Sequence, residues 1–261
     1  MRILFLGDIV GKPGRRAVCS LVPRLVDREQ LDLVIANCEN VADGVGVDPK
    51  SAHELLAAGV NVLTSGNHVW SKKEIVEFIA EEPRLLRPAN FPPAVPGRGW
   101  VIGETAAGIP IAVLNLIGRV FMDSVDCPFQ AAERLLPELR ARARVIVVDM
   151  HAEATSEKSA MGWFLAGKVS AVLGSHTHVQ TADERILPGG TAYVTDAGMC
   201  GPIDSVIGVQ TQLVLRRFIT HMPVRFEVAS GPVVLQGAVV DIDAATGHAQ
   251  SVRRLRELFT P

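Results

Sequence analysis

Four of the chain's seven histidines stand among other polar residues: His68 directly after Asn67, His151 after the apolar run 144–150, and His176 and His178 on either side of Thr177. Ahead of them come Asp8, behind Gly7, and the pair Glu39-Asn40. Carboxylate, amide oxygen and imidazole together suit borderline first-row ions such as Fe, Mn, Co or Zn, whereas Mg and Ca prefer oxygen alone. Taken singly, most of these residues have a plainer reading. Asp8 could cap a helix or close a turn, Asn67 could form an Asx-turn, and His68 and His151 could be satisfied, half-buried histidines. His176-Thr177-His178 resists that reading, because a tightly turned His-x-His can aim both rings at one region. Asp8, Glu39, Asn40, Asn67, His151, His176 and His178 are also too many ligands for one tetrahedral zinc. Two ions about 3.5–4 Å apart, bridged by a carboxylate and a hydroxide, fit the set and suit in-line displacement at phosphorus. The substrate this chemistry implies is a phosphoester.

The elements that must position these side chains show in the hydrophobic pattern. Apolar run and amphipathic stretch alternate over 2–7, 14–28, 32–37, 50–58 and 60–65, which is β-α-β-α-β spacing. Leu33-Val34-Ile35-Ala36 is continuously apolar, as a parallel strand buried on both faces must be. Strands over 99–104 and 109–117 follow, joined by a turn at Ala107-Gly108, then a helix over 128–142, a strand over 144–150, a helix over 159–167 and a strand over 169–173. Gly189-Gly190 separates two short strands, 185–188 and 191–195, and antiparallel strands are expected over 212–216, 224–228 and 233–243. Asp8, Glu39-Asn40, Asn67-His68, His151 and His176-Thr177-His178 then each follow the end of a strand. In open α/β sheets that crevice is where sites form.

Composition supports one domain over residues 1–261, with 48% hydrophobic and 21% charged residues. The 26 basic and 28 acidic residues leave a net charge of -2, which gives no general attraction for polymeric nucleic acid. No apolar run approaches the roughly 20 residues of a membrane span, and the first stretch is too short for a signal peptide, so a cytoplasmic, membrane-free protein is expected. Cys19, Cys38, Cys127 and Cys200 form no paired motif and read as buried free thiols.

These residues resemble the calcineurin-like metallophosphoesterase family, and within it the YmdB-like branch. Gly7-Asp8, Glu39, Gly66-Asn67-His68, His151 and Gly174-Ser175-His176-Thr177-His178 follow the family order. Asn37-Cys38-Glu39-Asn40, the string from Asp149 to Lys158, and His178-Val179-Gln180-Thr181-Ala182-Asp183 belong to the branch. The resemblance implies a four-layer α/β/β/α sandwich with a dinuclear site, holding iron or manganese, on strand-end loops. Glu39 would bridge, Asp8 and His178 would serve one ion, Asn67, His151 and His176 the other, and His68 would be the general acid. Two positions depart from the wider family. Val10 stands where a ligating histidine is usual, making Asn40 the expected replacement. Val69 stands where an acid usually orients the catalytic imidazole, which leaves His68 in need of another partner.

The expected reaction is in-line attack of a metal-bridging hydroxide on a small phosphodiester, with a nucleoside 2′,3′-cyclic phosphate implied by the branch, and protonation of the leaving alkoxide by His68. Arg119 is either a phosphate contact or an exposed structural arginine. Two rivals stand beside this reading: a nuclease, against which three Trp, one Tyr and balanced charge argue, and a metal-holding regulatory protein without turnover. A homo-oligomer is compatible with the sequence on general grounds alone.

Overall fold

A computed structural model describes residues 1–260. Its strands are β1 (Arg2–Leu6), β2 (Asp8–Ile9), β3 (Leu33–Asn37), β4 (Val62–Thr64), β5 (Trp100–Glu104), β6 (Pro110–Ile117), β7 (Val145–His151), β8 (Ala171–Ser175), β9 (Arg185–Leu187), β10 (Thr191–Val194), β11 (Met199–Pro202), β12 (Val233–Ile242) and β13 (Ala249–Phe259). The helices are α1 (Gly11–Glu29), α2 (Pro49–Ala57), α3 (Ile75–Glu81), α4 (Pro128–Arg142), α5 (Thr155–Leu165) and α6 (Thr211–Thr220).

The strands form two sheets. One is ordered β2-β11-β12-β1-β3-β4, with β13 also paired to β12; the other is ordered β5-β6-β7-β8-β10-β9. The pairs β1–β3, β3–β4, β6–β7 and β7–β8 are parallel, as the alternation of strand and helix predicts. Period-two patterning sorts the side chains of β1. Ile3 and Phe5 pack between the sheets with Val113, Val147 and Leu173, while Leu4 and Leu6 face Val18, Val22 and Leu55 of the helices on the other side. The second sheet has its own helical cover, in which Leu136 and Leu139 of α4 and Met161 and Leu165 of α5 pack on Leu114, Ile146 and Val148. The result is the four-layer α/β/β/α sandwich, each full burial of a Leu or Ile contributing about 1.5–3 kcal/mol.

Local signals place the boundaries. Asp48 caps α2 by accepting from the Ser51 N–H, and Pro49 and Pro128 begin α2 and α4, where a missing N–H costs nothing. The turn at Ala107-Gly108 and the Gly189-Gly190 hairpin are found as expected, with Gly108, Gly189 and Gly190 at positive φ. Two expected strands are absent. Residues 212–216 lie within α6, and 224–228 contribute only one isolated bridge, Val209 to Val228. A short apolar run at 213–215 and alternation over 224–228 led to the strand reading, but α6 lies on the surface, with Leu215, Phe218 and Ile219 exposed and Val214 its buried residue. All four cysteines are free; Cys38 and Cys200 are buried, whereas Cys19 and Cys127 are half-buried. Among the described residues no helix is long and apolar enough to cross a membrane.

Candidate metal centre

The loops that leave the strands converge as the sequence pattern requires, and they come from both sheets. Asp8 opens β2, Glu39 and Asn40 follow β3, and Asn67 and His68 follow β4; His151 ends β7, and His176 and His178 follow β8. Asp8, Glu39 and His151 are fully buried. Glu39 lies at the centre, with Oε2 3.2 Å from His151 Nε2 and Oε1 4.0 Å from His176 Nδ1. Asn67 Oδ1 and His176 Nδ1 stand 3.2 and 3.1 Å from the same His151 nitrogen. On the other side, Asp8 Oδ1 is 3.7 Å from His178 Nε2. Asp8 Oδ1 is also 3.9 Å from His151 Nδ1, so Asp8 joins His178 to the cluster of Asn67, His151 and His176 about Glu39.

Three features of this arrangement fit a bound cation. Ligand atoms of Glu39, His151 and His176 all lie within 4.8 Å of one another. Asp8 Oδ1 is buried with no hydrogen-bond partner, an expensive state for a carboxylate oxygen unless an ion satisfies it. Gly66 leaves the space open, since a Cβ there would stand 2.1 Å from His151 Nε2 and 2.4 Å from Glu39 Oε2. Electrostatics agree with crowded, desolvated charge. Burial opposes ionisation of Glu39, yet His151, His176 and His68 hold its carboxyl well below the usual range. Burial likewise opposes a charged His151, but Glu39, Asp8 and Asp149 lift it to about 9. Burial raises the Asp8 carboxyl, against the pull of His178 and His151.

Behind the ligands lies a layer of residues to which the sequence reading gave no role. His178 Nδ1 donates to the Ile207 carbonyl at 2.9 Å, so its Nε2 lone pair faces Asp8 and the Asn40 amide. His176 Nε2 is held by Glu153 at 3.2 Å, which leaves Nδ1 free. His151 Nδ1 is 2.9 Å from Ser175 Oγ, which donates to Asp149 Oδ1 at 2.7 Å. Burial raises the Asp149 carboxyl to about 6, against the pull of His151 and the Ser175 and Thr64 hydroxyls. His176 and His178 adopt positive φ, 94° and 63°, which costs non-glycine residues and must be enforced from outside. Asp196 supplies that restraint. Its Oδ2 accepts from the Thr177 N–H (3.0 Å), the Thr177 hydroxyl (2.6 Å) and buried Lys158 Nζ (2.7 Å), and Lys158 also donates to the Ser175 carbonyl at 3.0 Å. An Asp within the apolar run of β7 and a Lys on the buried face of α5 were the signals available.

His68 differs from the others. It is partly exposed, and its Nδ1–H donates to Asn40 Oδ1 at 2.8 Å, so Asn40 is the partner missing from the sequence account. The Asn40 amide nitrogen lies 3.1 Å from Glu39 Oε1 and 3.2 Å from His178 Nε2. Val69 is packed in the apolar core, where an acid would be stranded, and Val10 fills the space against Gly201 and Gly208. Arg119 is exposed, with its backbone N–H on the Glu157 carboxylate, and does not line the hollow over the centre. That hollow, of about 340 Å³, has Glu39, Asn40, His68, His176 and His178 at its base and Val45, Ile207, Phe226 and Val228 on its walls.

A two-sheet sandwich with this ring of acids, amides and imidazoles at its strand ends defines the metallophosphoesterase class. Within that class the chain belongs to the YmdB-like protein family, whose model matches residues 4–255. It is 49% identical over 255 residues to a 2′,3′-cyclic-nucleotide 2′-phosphodiesterase of Bacillus subtilis (strain 168), covering 98% of this chain and 96% of that one. A hypothetical protein from Thermus thermophilus superposes with a TM-score of 0.94 at 41% identity, each chain covered in full. A novel phosphatase from Mycoplasma pneumoniae gives a TM-score of 0.92 at 35% identity, covering 99% of this chain and 93% of that one. The chain is an enzyme of this family.

Proposed function

We propose that residues 1–261 act as one phosphodiesterase domain for small phosphodiesters, nucleoside 2′,3′-cyclic phosphates among them, with two metal ions held by Asp8, Glu39, Asn40, Asn67, His151, His176 and His178. The observation that carries this reading is the gathering of candidate ligands about the two buried carboxylates Glu39 and Asp8, together with the unsatisfied Asp8 Oδ1. The relatives' names and the mixed oxygen and imidazole donor set support it, and the imidazoles favour iron or manganese over magnesium or calcium. Bound ions supply Lewis-acid charge for the phosphoryl oxygens and an activated water near neutral pH.

The chain's own residues do the rest. Asp8, Glu39 and His151 are sealed from bulk water, so the ligand cage is fixed before substrate arrives. Asn40 orients His68 by accepting from its Nδ1–H, and the imidazolium form of His68 carries the Nε2 proton that a leaving alkoxide in the hollow would take, returning the ring to its neutral Nδ1–H tautomer. The apolar wall of Val45, Ile207, Phe226 and Val228 suits a base or another flat group beside the phosphate, and a 340 Å³ hollow suits a nucleotide better than a polymer.

Metal-loaded protein assayed against 2′,3′-cyclic nucleotides, bis-p-nitrophenyl phosphate and RNA tests the reading. Turnover of the small diesters is expected; cleavage of RNA alone, or none at all, would move the assignment to a nuclease or to a non-catalytic metal protein. His68→Ala should keep its metal and lose on the order of 10²–10⁴-fold on the cyclic nucleotide. With p-nitrophenolate as leaving group, which hardly needs a proton, the loss should shrink. Equal losses on both substrates would remove the general-acid role.

A further inference from the structure

A second cavity lies away from the candidate metal centre. The edge strands β4 and β5, one from each sheet, part around a space of about 770 Å³ at the opposite end of the sandwich. Leu33 and Val62, which line it, begin β3 and β4, whereas Glu39 and Asn67 lie beyond the ends of those strands. Its charge comes from Arg84, Arg87, Arg98 and Arg142 against one acid, Glu104. That is a local excess of cation in a chain whose net charge is -2. Two of the arginines are offset: Arg84 pairs with Glu82 at 2.8 Å, and Arg142 faces Glu138 at 3.8 Å while its guanidinium carbon lies 5.3 Å from the centre of the Trp100 ring.

Arg87 and Arg98 form no ion pair among the described residues. Arg87 is only 8% exposed, and its hydrogen bonds go to neutral carbonyls, from Nε to Pro96 (3.1 Å) and from Nη1 to Pro88 (2.9 Å). Its Nη2 has no acceptor within the described protein, yet is not sealed from solvent. Burial pulls this guanidinium below its ordinary range with no acid to offset it. A buried cation without a counter-charge is a costly arrangement that bound anions relieve. The backbone N–H of Arg87 donates to the Arg98 carbonyl at 2.9 Å, so the two stems start side by side and reach the same space.

We propose that this cavity is a second ligand site, separate from the metal centre, which takes a phosphate oxyanion between Arg87 and Arg98. Guanidinium forks match phosphate oxygens in geometry as well as charge. The phosphate can be free or carried by a nucleotide, for whose base the lining also offers the indole of Trp100 and the apolar side chains of Leu56, Val60 and Ile102.

The test uses the metal-loaded full chain carrying Trp70→Phe and Trp163→Phe, which leaves Trp100 as its sole tryptophan. Inorganic phosphate and adenosine 5′-monophosphate are titrated in parallel while Trp100 emission is followed. A saturable change is expected with at least one probe. Equal affinities would assign the site to the phosphate group alone, and tighter binding of the nucleotide would assign it to a nucleotide. Arg98→Gln, at an exposed position where folding is not at risk, should weaken binding about tenfold or more and leave metal content unchanged. Arg87→Gln should act in the same direction. No saturable change with either probe, or unaltered affinity in Arg98→Gln, overturns the proposal.

Discussion

Asn40 has one amide and two claims upon it. Its oxygen accepts from His68, while its nitrogen faces Glu39 and His178, two of the groups expected to hold metal. A side chain so placed couples the ligand cage to the proposed acid. If it acts through His68, the two residues form a unit whose losses do not add. With a poor leaving group, Asn40→Ala should therefore lower turnover toward the level of His68→Ala, and the double variant should be little worse than the lower single variant. Additive losses in that double-mutant cycle would show that Asn40 does not work through the imidazole. Metal analysis of Asn40→Ala reports its ligand role separately: a fall below the wild-type content is expected if the amide also serves an ion. Residue types alone carried the candidate set a long way, because acids, amides and imidazoles at strand ends are few and recur in order. The Asn40–His68 contact was not legible, since it is made between the loops after β3 and β4 and no local pattern encodes it.

The turn after β8 shows what a ligand-bearing element needs besides its ligands. Positive φ at His176 and His178 is held by Asp196, which binds the Thr177 N–H and hydroxyl and is itself neutralised by Lys158. Both partners are buried, at 1% and 0% side-chain exposure. Removing one would leave the other an uncompensated interior charge, a loss of about 3–5 kcal/mol. Lys158→Met should thus lower stability by that order in chemical denaturation. Asp196→Asn keeps the shape of the side chain but leaves Lys158 unpaired, so it should lower stability by the same order and, by loosening the turn, lower metal content as well; wild-type metal content in Asp196→Asn would show that the turn holds itself. Elements built on long regular patterns were readable, from the parallel units of 2–65 to α4, whose bounds coincide with the expected helix. Those set by tertiary surroundings were not. Residues 212–216 read as a strand because Leu213, Val214 and Leu215 form a short apolar run, but no sheet edge receives them and the segment coils into α6. The short β11 contains Gly201 and Pro202, poor strand signals, and exists because β12 and β2 accept it as a neighbour.

The candidate centre belongs to neither sheet alone. Asp8, Glu39, Asn40 and Asn67 come from loops of one sheet, and His151, His176 and His178 from the other, while the apolar layer of Ile3, Phe5, Val113 and Val147 holds the two face to face. Without an ion, that end of the sandwich holds a buried carboxylate at a cost: burial raises Asp8 against the pull of His178 and His151, and Glu39 and Asp196 add to the rise. A cation that binds the folded chain and not the unfolded one stabilises it by mass action, about 2.7 kcal/mol at a concentration one hundred times its dissociation constant. For a chain of this size each kcal/mol moves the midpoint by roughly 2–4 °C, so stripping the metal with a chelator should lower Tm by roughly 5–10 °C. Readdition of iron or manganese should restore it. Glu39→Gln should shrink the shift, because Glu39 is the buried carboxylate beside His151 and His176, whereas His68→Ala should keep it whole. Scanning calorimetry with and without chelator decides the matter: an unchanged midpoint would mean that the two sheets meet at this end without needing an ion between them.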